Sequence, residues 1–519
     1  MMGRQPKVQK KLFYTKFNLD QRVPKNHILR QIGKHIDFDF IYKEVEAAYG
    51  VKGNVSVPPP VILKMMLLLI FYNVRSEREL MATIPMRLDW LWFLGYDIDD
   101  EIPNHSVLSK ARARWGVLAF KTFFERIVLQ CADAGLIDGR KLFTDSSIMQ
   151  ADASNNSVVK TTSLNRYLNK NYQILESRLE KEKGSSAKDN GPNPPKSGAA
   201  NKKHLSTTDP DASVSRRGKG KSKLEYQVHR GVDSKCEIIT ATEVTPGEVH
   251  EAHRLQALID SHEKNTGTQV EVAVGDSKYG TFDNYVACCD RGIKAHMPCL
   301  EQTQKGSGRQ KDIFPRKLFI YDFAKDIFIC PAGQKMKKRK YRKKRKHYEY
   351  SATAKICNRC HLRQQCTRSK TGRTLKRHVR QDDIDAMLTL ASSNESQKDI
   401  KTRQHLMERT FARATRYGYK RARWRRLWRV QIQEYLTAGI QNIMVLLANA
   451  KKPAAGAKIQ IKHRYQKAYE AFQEHFSYFK QQITAVVSFL FSFKATEITI
   501  YQKLFRGFKP YFGQQPVKY

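Results

Sequence analysis

The stretch that decides the fold is "GRKLFTDSSIMQADAS", residues 139–154. It runs through an apolar segment into Asp145 and two serines, and Asp152 follows seven positions later. Successive strand residues point to opposite faces of a sheet, so two acids an odd number of positions apart on one regular strand cannot serve the same site. Asp145 closely follows an apolar Leu-Phe pair, whereas Asp152 lies in the turn-like "QADASNNS". We therefore expect chemistry at Asp145 and a structural role for Asp152.

A second aspartate, Asp276, lies in a similar setting within "TQVEVAVGDSKYG", residues 268–280. Strands that end in acids place carboxylates at one rim of a sheet, and adjacent parallel strands would bring Asp145 and Asp276 close together. Two such carboxylates repel each other unless a cation lies between them, so the pair indicates a hard divalent metal, Mg²⁺ or Mn²⁺. The alternative is that both are ordinary turn aspartates at strand ends.

The elements around these acids follow the order β-β-β-α-β-α-β. After the first strand, residues 223–246 alternate polar and apolar positions as in a hairpin, and a helix, a strand, a helix and a strand follow. This order predicts an α/β fold with a mixed sheet and flanking helices. Upstream, apolar residues recur at helical spacing from "VPPPVILKMMLLLIFY" onward, which predicts an all-α N-terminal domain.

The chain has 519 residues, too many for a single core, because cores stop growing near about 250 to 300 residues. Composition shifts suggest where the units meet. We predict a basic arm (1–52), a helical DNA-binding domain (53–136), the first part of the α/β core (137–299) with a flexible insertion (181–223), a basic cysteine-containing β-rich insertion (300–400), the second part of the core (401–450) and a basic aromatic tail (451–519).

Charge points to the class of partner. There are 93 Lys and Arg residues against 50 Asp and Glu, a formal net charge of +43 that is spread along the chain. Such a molecule requires a polyanion, and nucleic acid is the commonest one; a structural basic protein is the plainer alternative. No secretory signal is recognisable and the apolar runs are too short to span a bilayer, so we expect a cytoplasmic protein with no membrane partner.

A third acid is offered by "DIKTRQHLMERTFARATRYG", residues 399–418. At 100° per residue its apolar side chains form one stripe and its arginines the opposite one, with Glu408 on the boundary. From there a carboxylate can reach a metal at the sheet rim while the arginines hold DNA phosphates. The alternative is an exposed helix on which Glu408 pairs with arginines. The predicted phosphate-binding residues of this segment are Arg403, Arg409, Arg413 and Arg416.

Another basic helix is predicted after Pro103 and carries Lys110, Arg112 and Arg114. A helix-turn-helix interpretation places these three side chains against DNA, and the alternative is a solvated basic face. The two interpretations remain open from sequence.

Nine cysteines in a cytoplasmic chain indicate reduced thiols or metal ligands rather than disulfides. Four of them, Cys330, Cys357, Cys360 and Cys366, have the spacing C-x26-C-x2-C-x5-C. The C-x2-C pair is a common half of a structural Zn²⁺ site. Unmetallated thiols in a small β-rich module are the alternative. His250, His253, Glu248 and Glu251 could form a metal cluster at the start of a helix. The preferred interpretation is that the acids suit the helix dipole and the histidines are surface groups, so none of them is predicted to be a ligand.

The motifs "LFTDSS", "VAVGDSKYG" and "HLMERTFARATRYG", in this order, resemble the Asp, Asp, Glu signature of insertion-sequence DDE transposases. The segment "PPPVILKMMLLLIFYNVRSERELM" is similar to the N-terminal domain of one branch of that family, and the resemblance covers residues 53–450. It implies a ribonuclease H-like core in which Asp145, Asp276 and Glu408 bind two Mg²⁺ or Mn²⁺ ions. The family's tyrosine before the glutamate and lysine after it are absent here.

The resemblance also implies the reaction and the partners. DNA is hydrolysed at the transposon ends, and the freed 3′-hydroxyl then attacks the target in line, so the serines beside Asp145 need not be nucleophiles. The partners are the double-stranded DNA of the transposon ends and target, with a homodimer or higher oligomer in the synaptic complex. Such a protein would associate with a bacterial nucleoid. The alternatives are a DNA-binding regulator descended from a transposase and a nuclease that cuts without joining.

Overall fold

The computed structural model describes residues 2–4, 18–50, 53–160, 199–216, 221–300 and 313–450. The predicted basic aromatic tail and residues 181–198 and 217–220 of the predicted flexible insertion lie outside these residues. Among the described helices, none has the length and apolar character needed to cross a membrane.

The first part of the chain is helical. Its elements are α1 (Leu19–Arg22), α2 (Ile28–His35), α3 (Phe40–Val45), α4 (Pro59–Phe71), α5 (Glu77–Thr83), α6 (Leu88–Leu94), α7 (Ser106–Trp115) and α8 (Leu118–Asp133). Helix α4 starts with prolines in its first turn, where their missing N–H groups cost nothing, and nearly all of its residues are buried. A helix that is apolar on every side belongs in the centre of a core.

Residues 18–50 are folded, although a basic arm was predicted for residues 1–52. Helices α1–α3 fold with the helical domain, and the buried side chains of Leu29, Ile32, Phe38 and Ile41 join its core. These helices are short, and each has only a few apolar residues, so the spacing of apolar residues along the sequence marks them weakly.

The central sheet has the spatial order β6–β5–β1–β7–β8, with β4 also pairing with β5. Its strands are β1 (Lys141–Gln150), β4 (Ser213–Ser215), β5 (Lys223–Asp233), β6 (Ile239–Pro246), β7 (Val272–Val274) and β8 (Lys294–His296), and a separate two-stranded sheet contains β2 (Val158–Lys160) and β3 (His204–Ser206). Strand β5 is antiparallel to β1 and to β6, whereas β7 is parallel to β1 and to β8. Strands β1, β6, β7 and β8 therefore run in one direction. The mixed sheet predicted from sequence is confirmed.

Part of the predicted flexible insertion is folded. Residues 199–216 contain helix α9 (Ala199–Lys203) and strands β3 and β4. The Asn201 side chain is buried and donates to Glu248 Oε2 at 2.8 Å, while Ser213 pairs with Glu225 across β4 and β5. Residues 199–216 are therefore folded, although the predicted flexible insertion included them, because the edge of the sheet supplies backbone partners for this segment.

The remaining helices of the core are α10 (Leu255–Thr266), α11 (Phe282–Asp290), α14 (Gln381–Ala391), α15 (Asn394–Thr415) and α16 (Leu427–Ala450). Helix α16 is buried along most of its length and packs against both α8 and β6. Side chains of the helical domain and of the sheet consequently share one hydrophobic core.

Between the two parts of the core lies a five-stranded antiparallel sheet in which the strands follow chain order. It contains β9 (Ile320–Asp322), β10 (Ile327–Ile329), β11 (Lys335–Arg342), β12 (His347–Ser351) and β13 (Thr374–His378), with short helices α12 (Ala354–Asn358) and α13 (Arg363–Cys366) before the last strand. The core resumes earlier than the predicted boundary at residue 400, because Met387 of α14 is buried with the side chains of α11 and β8.

Candidate active site

Two neighbouring parallel strands bring Asp145 and Asp276 together. Phe143 of β1 is the register partner of Val274 of β7, and Thr144 Oγ1 donates to the Val274 carbonyl at 3.0 Å. Asp276 follows Val274 after one glycine. Strand β1 continues to Gln150, so Asp145 lies in mid-strand rather than at its end as expected.

A tight turn holds Asp276 at the sheet edge. Asp276 Oδ1 accepts from the backbone N–H of Lys278 at 2.9 Å. The turn ends at Gly280, where an added Cβ would lie 1.9 Å from the Pro298 carbonyl oxygen. Only glycine allows the chain to pass this close, so Gly280 helps to determine where Asp276 lies.

The third acid at this site is Glu251, which was not predicted from sequence to be a ligand. Carboxylate oxygens of Asp145, Glu251 and Asp276 all lie within 4.8 Å of one another. Glu251 begins a single 3₁₀ turn, Glu251–Arg254, soon after β6. The signal for it was topological: β6 runs parallel to β1, so residues that follow β6 and β7 meet at the same edge of the sheet.

The electrostatics of this acid group favour a cation. Burial raises the pKa of Asp145 to about 6, and the charges of Asp276 and Glu251 add to the rise. Arg403 and the Ser146 N–H oppose it. Carboxylate oxygens are the ligands preferred by Mg²⁺ and similar hard ions. Three such groups in contact distance of one ion form a donor set of the right chemistry.

Glu408 lies apart from the acid group. It is exposed on α15 and accepts from Gln404 Nε2 at 3.2 Å. The residue of α15 that reaches Asp145 is Arg403, whose guanidinium lies 2.9 Å from Asp145 Oδ2 and donates to the Thr144 carbonyl at 3.3 Å. Arg403 is buried, so its expected contact with DNA phosphate is replaced by one with a carboxylate.

The other arginines of α15 surround a surface cavity. Arg409 and Arg413 both form ion pairs with Glu237 in the turn before β6. Together with Arg416 they line a cavity of about 940 Å³ between α15, α16 and this turn. Arg409 and Arg413 remain about half exposed, which leaves them able to meet an anion.

The three basic side chains of α7 differ in exposure. Lys110 and Arg114 are exposed, but Arg112 is only 3% exposed, forms an ion pair with Glu77 at 2.5 Å and lies 4.0 Å from the ring centre of Trp424. The prediction that Arg112 contacts DNA is therefore wrong for this conformation. Its guanidinium instead joins the helical domain to the segment before α16.

We expect Arg112→Met to lower stability and Lys110→Ala to change DNA binding. Removing the Arg112 charge leaves Glu77 with the Trp424 N–H but without its charged partner, which should cost roughly 1–3 kcal/mol of unfolding free energy. Lys110→Ala should change stability by less than about 0.5 kcal/mol but lower the slope of DNA affinity against salt by about 1. Denaturant unfolding and a salt titration of DNA binding measure the two. Equal stability losses would contradict these assignments.

Two further acidic sites are already occupied by protein cations. Asp152 lies beyond the end of β1 and forms ion pairs with Arg421 at 2.8 Å and Arg425 at 3.3 Å. A second acid group consists of His296, Glu395 and Asp399. The Lys141 ammonium lies 2.9 Å from Asp399 and 4.0 Å from Glu395.

The four spaced cysteines converge. Cys330, Cys357, Cys360 and Cys366 line one small cavity under the five-stranded sheet. Burial raises the pKa of the Cys366 thiol, and the other three thiols contribute to the rise. Their sulfur atoms do not form a group within 4.8 Å of one another in the described part of the chain, so a shared ion would require them to move closer together. His347, His361 and His378 do not line this cavity.

The comparisons with known families decide the identity. Residues 17–114 match the model described as "Transposase domain (DUF772)", and residues 329–447 match the "Transposase DDE domain". Both matches are to transposase domains, and together they indicate a DDE transposase of the insertion-sequence type. A comparison with curated proteins found no match. The first match begins before α1, which agrees with the packing of α1–α3 in the transposase's helical domain. The second contains Arg403 and Glu408, whereas Asp145, Glu251 and Asp276 lie outside it.

Proposed function

We propose that this transposase cuts DNA at the ends of its element and joins the freed 3′ end to target DNA, using divalent metal ions held by Asp145 and Asp276. The observation that carries the proposal is the approach of these two carboxylates on adjacent parallel strands, with oxygens within 4.8 Å. The order of the five main strands, β6–β5–β1–β7–β8, supports the ribonuclease H-like core implied by the family resemblance.

The residues around the acid group have distinct roles in this proposal. Two bound Mg²⁺ or Mn²⁺ ions would stabilise charge on the scissile phosphate and lower the pKa of the attacking hydroxyl. Asp145 and Asp276 would hold the ions from opposite sides of the strand pair. Arg403 orients Asp145 through its contact with Oδ2 and balances part of the carboxylate charge.

Glu408 is proposed as the carboxylate that joins the site when DNA is bound. It lies five residues after Arg403, about 140° around an ideal helix, so α15 must shift for Glu408 to face Asp145. Release of Arg403 from Asp145 when DNA binds would permit that shift. Glu408→Gln should therefore abolish cleavage while leaving Mn²⁺ binding to the DNA-free transposase unchanged.

We propose that exposed basic side chains bind the double-stranded DNA. Lys110 and Arg114 of α7, the arginines around the 940 Å³ cavity and the exposed strand β11 supply them. Phosphate contacts of this kind act through charge and position the duplex without reading its sequence. Pairing of two transposon ends requires at least a dimer during the reaction.

The test uses the purified transposase, Mg²⁺ or Mn²⁺, and DNA that carries the element's ends. Cleaved ends together with joined product support the proposal, and both should disappear when EDTA is added. Cleavage without joined product would indicate a nuclease. Binding without cleavage would indicate a regulator descended from a transposase, and either outcome would overturn the proposed activity.

We also propose that the four cysteines bind a structural zinc ion. Thiolates are preferred Zn²⁺ ligands, and four of them are typical of a closed structural site. The convergence of all four side chains on one cavity supports this proposal. Zinc there would connect β10 with α12 and α13 and stiffen the sheet that carries the basic strand β11.

Cys360→Ser should lower zinc from about one ion per chain to near zero and reduce thermal stability, since a structural metal contributes directly to folding. Metal analysis of the purified protein measures the first effect and a thermal melt the second. Cys289→Ser is the matched control, because Cys289 lies in the core away from this cavity. Equal zinc content in the two variants would contradict the proposal.

A further inference from the structure

We propose that Glu251 is a third protein ligand of the metal site, present before DNA binds. The inference rests on the proposed metal site at Asp145 and Asp276 and adds a residue from a different part of the chain. Neither family match includes Glu251, and the family resemblance assigns its third carboxylate to Glu408.

The first argument is the state of the two Glu251 oxygens. Oε1 accepts from Gln227 Nε2 at 2.8 Å and from Lys278 Nζ at 2.7 Å. Oε2 is buried and has no hydrogen-bond partner among the described residues. Glu251 as a whole is only 4% exposed. An uncompensated carboxylate oxygen in such a place costs free energy, and a metal ion between the acids would compensate it.

The second argument is that Glu251 is held in place from several directions. Gln227 of β5 also donates to Ser146 Oγ at 2.6 Å, which connects Glu251 to the residue beside Asp145. Asn284 of α11 donates to the carbonyls of Ala252 and Tyr279, at 3.0 and 2.9 Å. The 3₁₀ turn of Glu251 and the turn of Asp276 are thereby joined. A ligand oriented in this way needs little rearrangement when an ion arrives.

The third argument is charge. Asp145, Glu251 and Asp276 carry three negative charges, whereas Arg403 and Lys278 supply the positive charges in direct contact with them. Lys278 is itself about half exposed, so water screens much of its effect. The acid group retains an excess of negative charge that a divalent ion would neutralise.

The competing explanation is that Glu251 is only the partner of Lys278 in a structural ion pair. Both explanations allow Glu251→Gln to lower stability, but only a ligand changes metal affinity. The experiment therefore measures Mn²⁺ binding to the full-length, DNA-free transposase by the loss of the free-ion signal in electron paramagnetic resonance. A thermal melt of each variant without metal reports stability separately.

We expect Glu251→Gln to weaken Mn²⁺ binding at least about tenfold, since even residues that only support metal ligands cost tenfold to a hundredfold. Asp152→Asn is the matched control and should bind Mn²⁺ like the unaltered protein. Unchanged affinity in Glu251→Gln would overturn the inference. If that variant does not fold, Glu251→Asp replaces it, because this change keeps the charge but moves the carboxylate oxygens away from Asp145 and Asp276. Glu251→Asp should also bind Mn²⁺ more weakly, and unchanged affinity would overturn the inference.

Failure of the inference and failure of the proposed function give different results. If Glu251→Gln binds Mn²⁺ normally while Asp276→Asn does not, the site at Asp145 and Asp276 stands and Glu251 is structural. If Asp276→Asn also binds Mn²⁺ normally, the proposed metal site itself is wrong.

Discussion

Asp276→Asn is expected to remove both DNA cleavage and strand transfer while DNA binding survives. The substitution keeps the size of the side chain, and its Oδ1 can still accept from the Lys278 N–H, so the turn should remain. What it removes is a negative charge at the proposed metal site. Metal ions contribute several kcal/mol to such reactions and about 1.4 kcal/mol corresponds to tenfold in rate, so we expect a loss of at least about a thousandfold.

The matched control for this experiment is Asp152→Asn. Asp152 belongs to the same stretch as Asp145 but pairs with two partly exposed arginines, and exposed ion pairs contribute about 0–1 kcal/mol. Its cleavage rate should stay close to that of the unaltered protein. Strand transfer that persists in Asp276→Asn would contradict the assignment of Asp276, and equal losses in both variants would indicate a general structural effect.

Arg230→Met is expected to cause the largest loss of stability. Arg230 of β5 and Glu434 of α16 are both 0% exposed, and the Arg230 Nε lies 2.7 Å from Glu434 Oε1. A second Arg230 nitrogen donates to Gln441 Oε1 at 2.9 Å. This ion pair connects β5 of the sheet with helix α16. Removing one partner leaves a buried charge uncompensated, which typically costs about 3–5 kcal/mol.

Denaturant unfolding of Arg230→Met tests this expectation, and the double variant Arg230→Met/Glu434→Leu separates its cause. Replacing both partners with apolar residues removes the uncompensated charge and should recover most of the loss. The double variant also keeps the test decisive if the single one fails to fold. A double variant less stable than Arg230→Met would contradict the assignment, because lost contacts rather than a stranded Glu434 charge would then dominate.

The fold around the site was predictable because local patterns and the chain order agree. Alternating apolar residues mark β5 and β6, and the alternation of helices and strands after them leads to parallel pairing of β1 with β7. That pairing follows from general rules for short connections, and it is why Asp145 and Asp276 could be expected together. The folding of α1–α3 was not predicted, because each helix is too short for the spacing of its few apolar residues to be recognised.

The rest of the site depends on tertiary contacts that no local pattern records. Glu251 resembles an acid that stabilises a helix start, and only the position of β6 in the sheet brings it to Asp145. Arg112 resembles a DNA-binding residue, and only the approach of Trp424 from a distant part of the chain buries it. Exposure and partners, rather than residue type, separate these side chains from Lys110 and Asp152.

The most direct test of the metal site is a crystal structure of the transposase soaked with Mn²⁺, with data collected at the manganese absorption edge. We predict an anomalous peak in contact with the carboxylates of Asp145 and Asp276, and with Glu251 Oε2 beside it. The account would be contradicted by a manganese peak at the group of His296, Glu395 and Asp399 instead. It would also be contradicted if manganese were bound elsewhere in the crystal but gave no peak at Asp145 and Asp276.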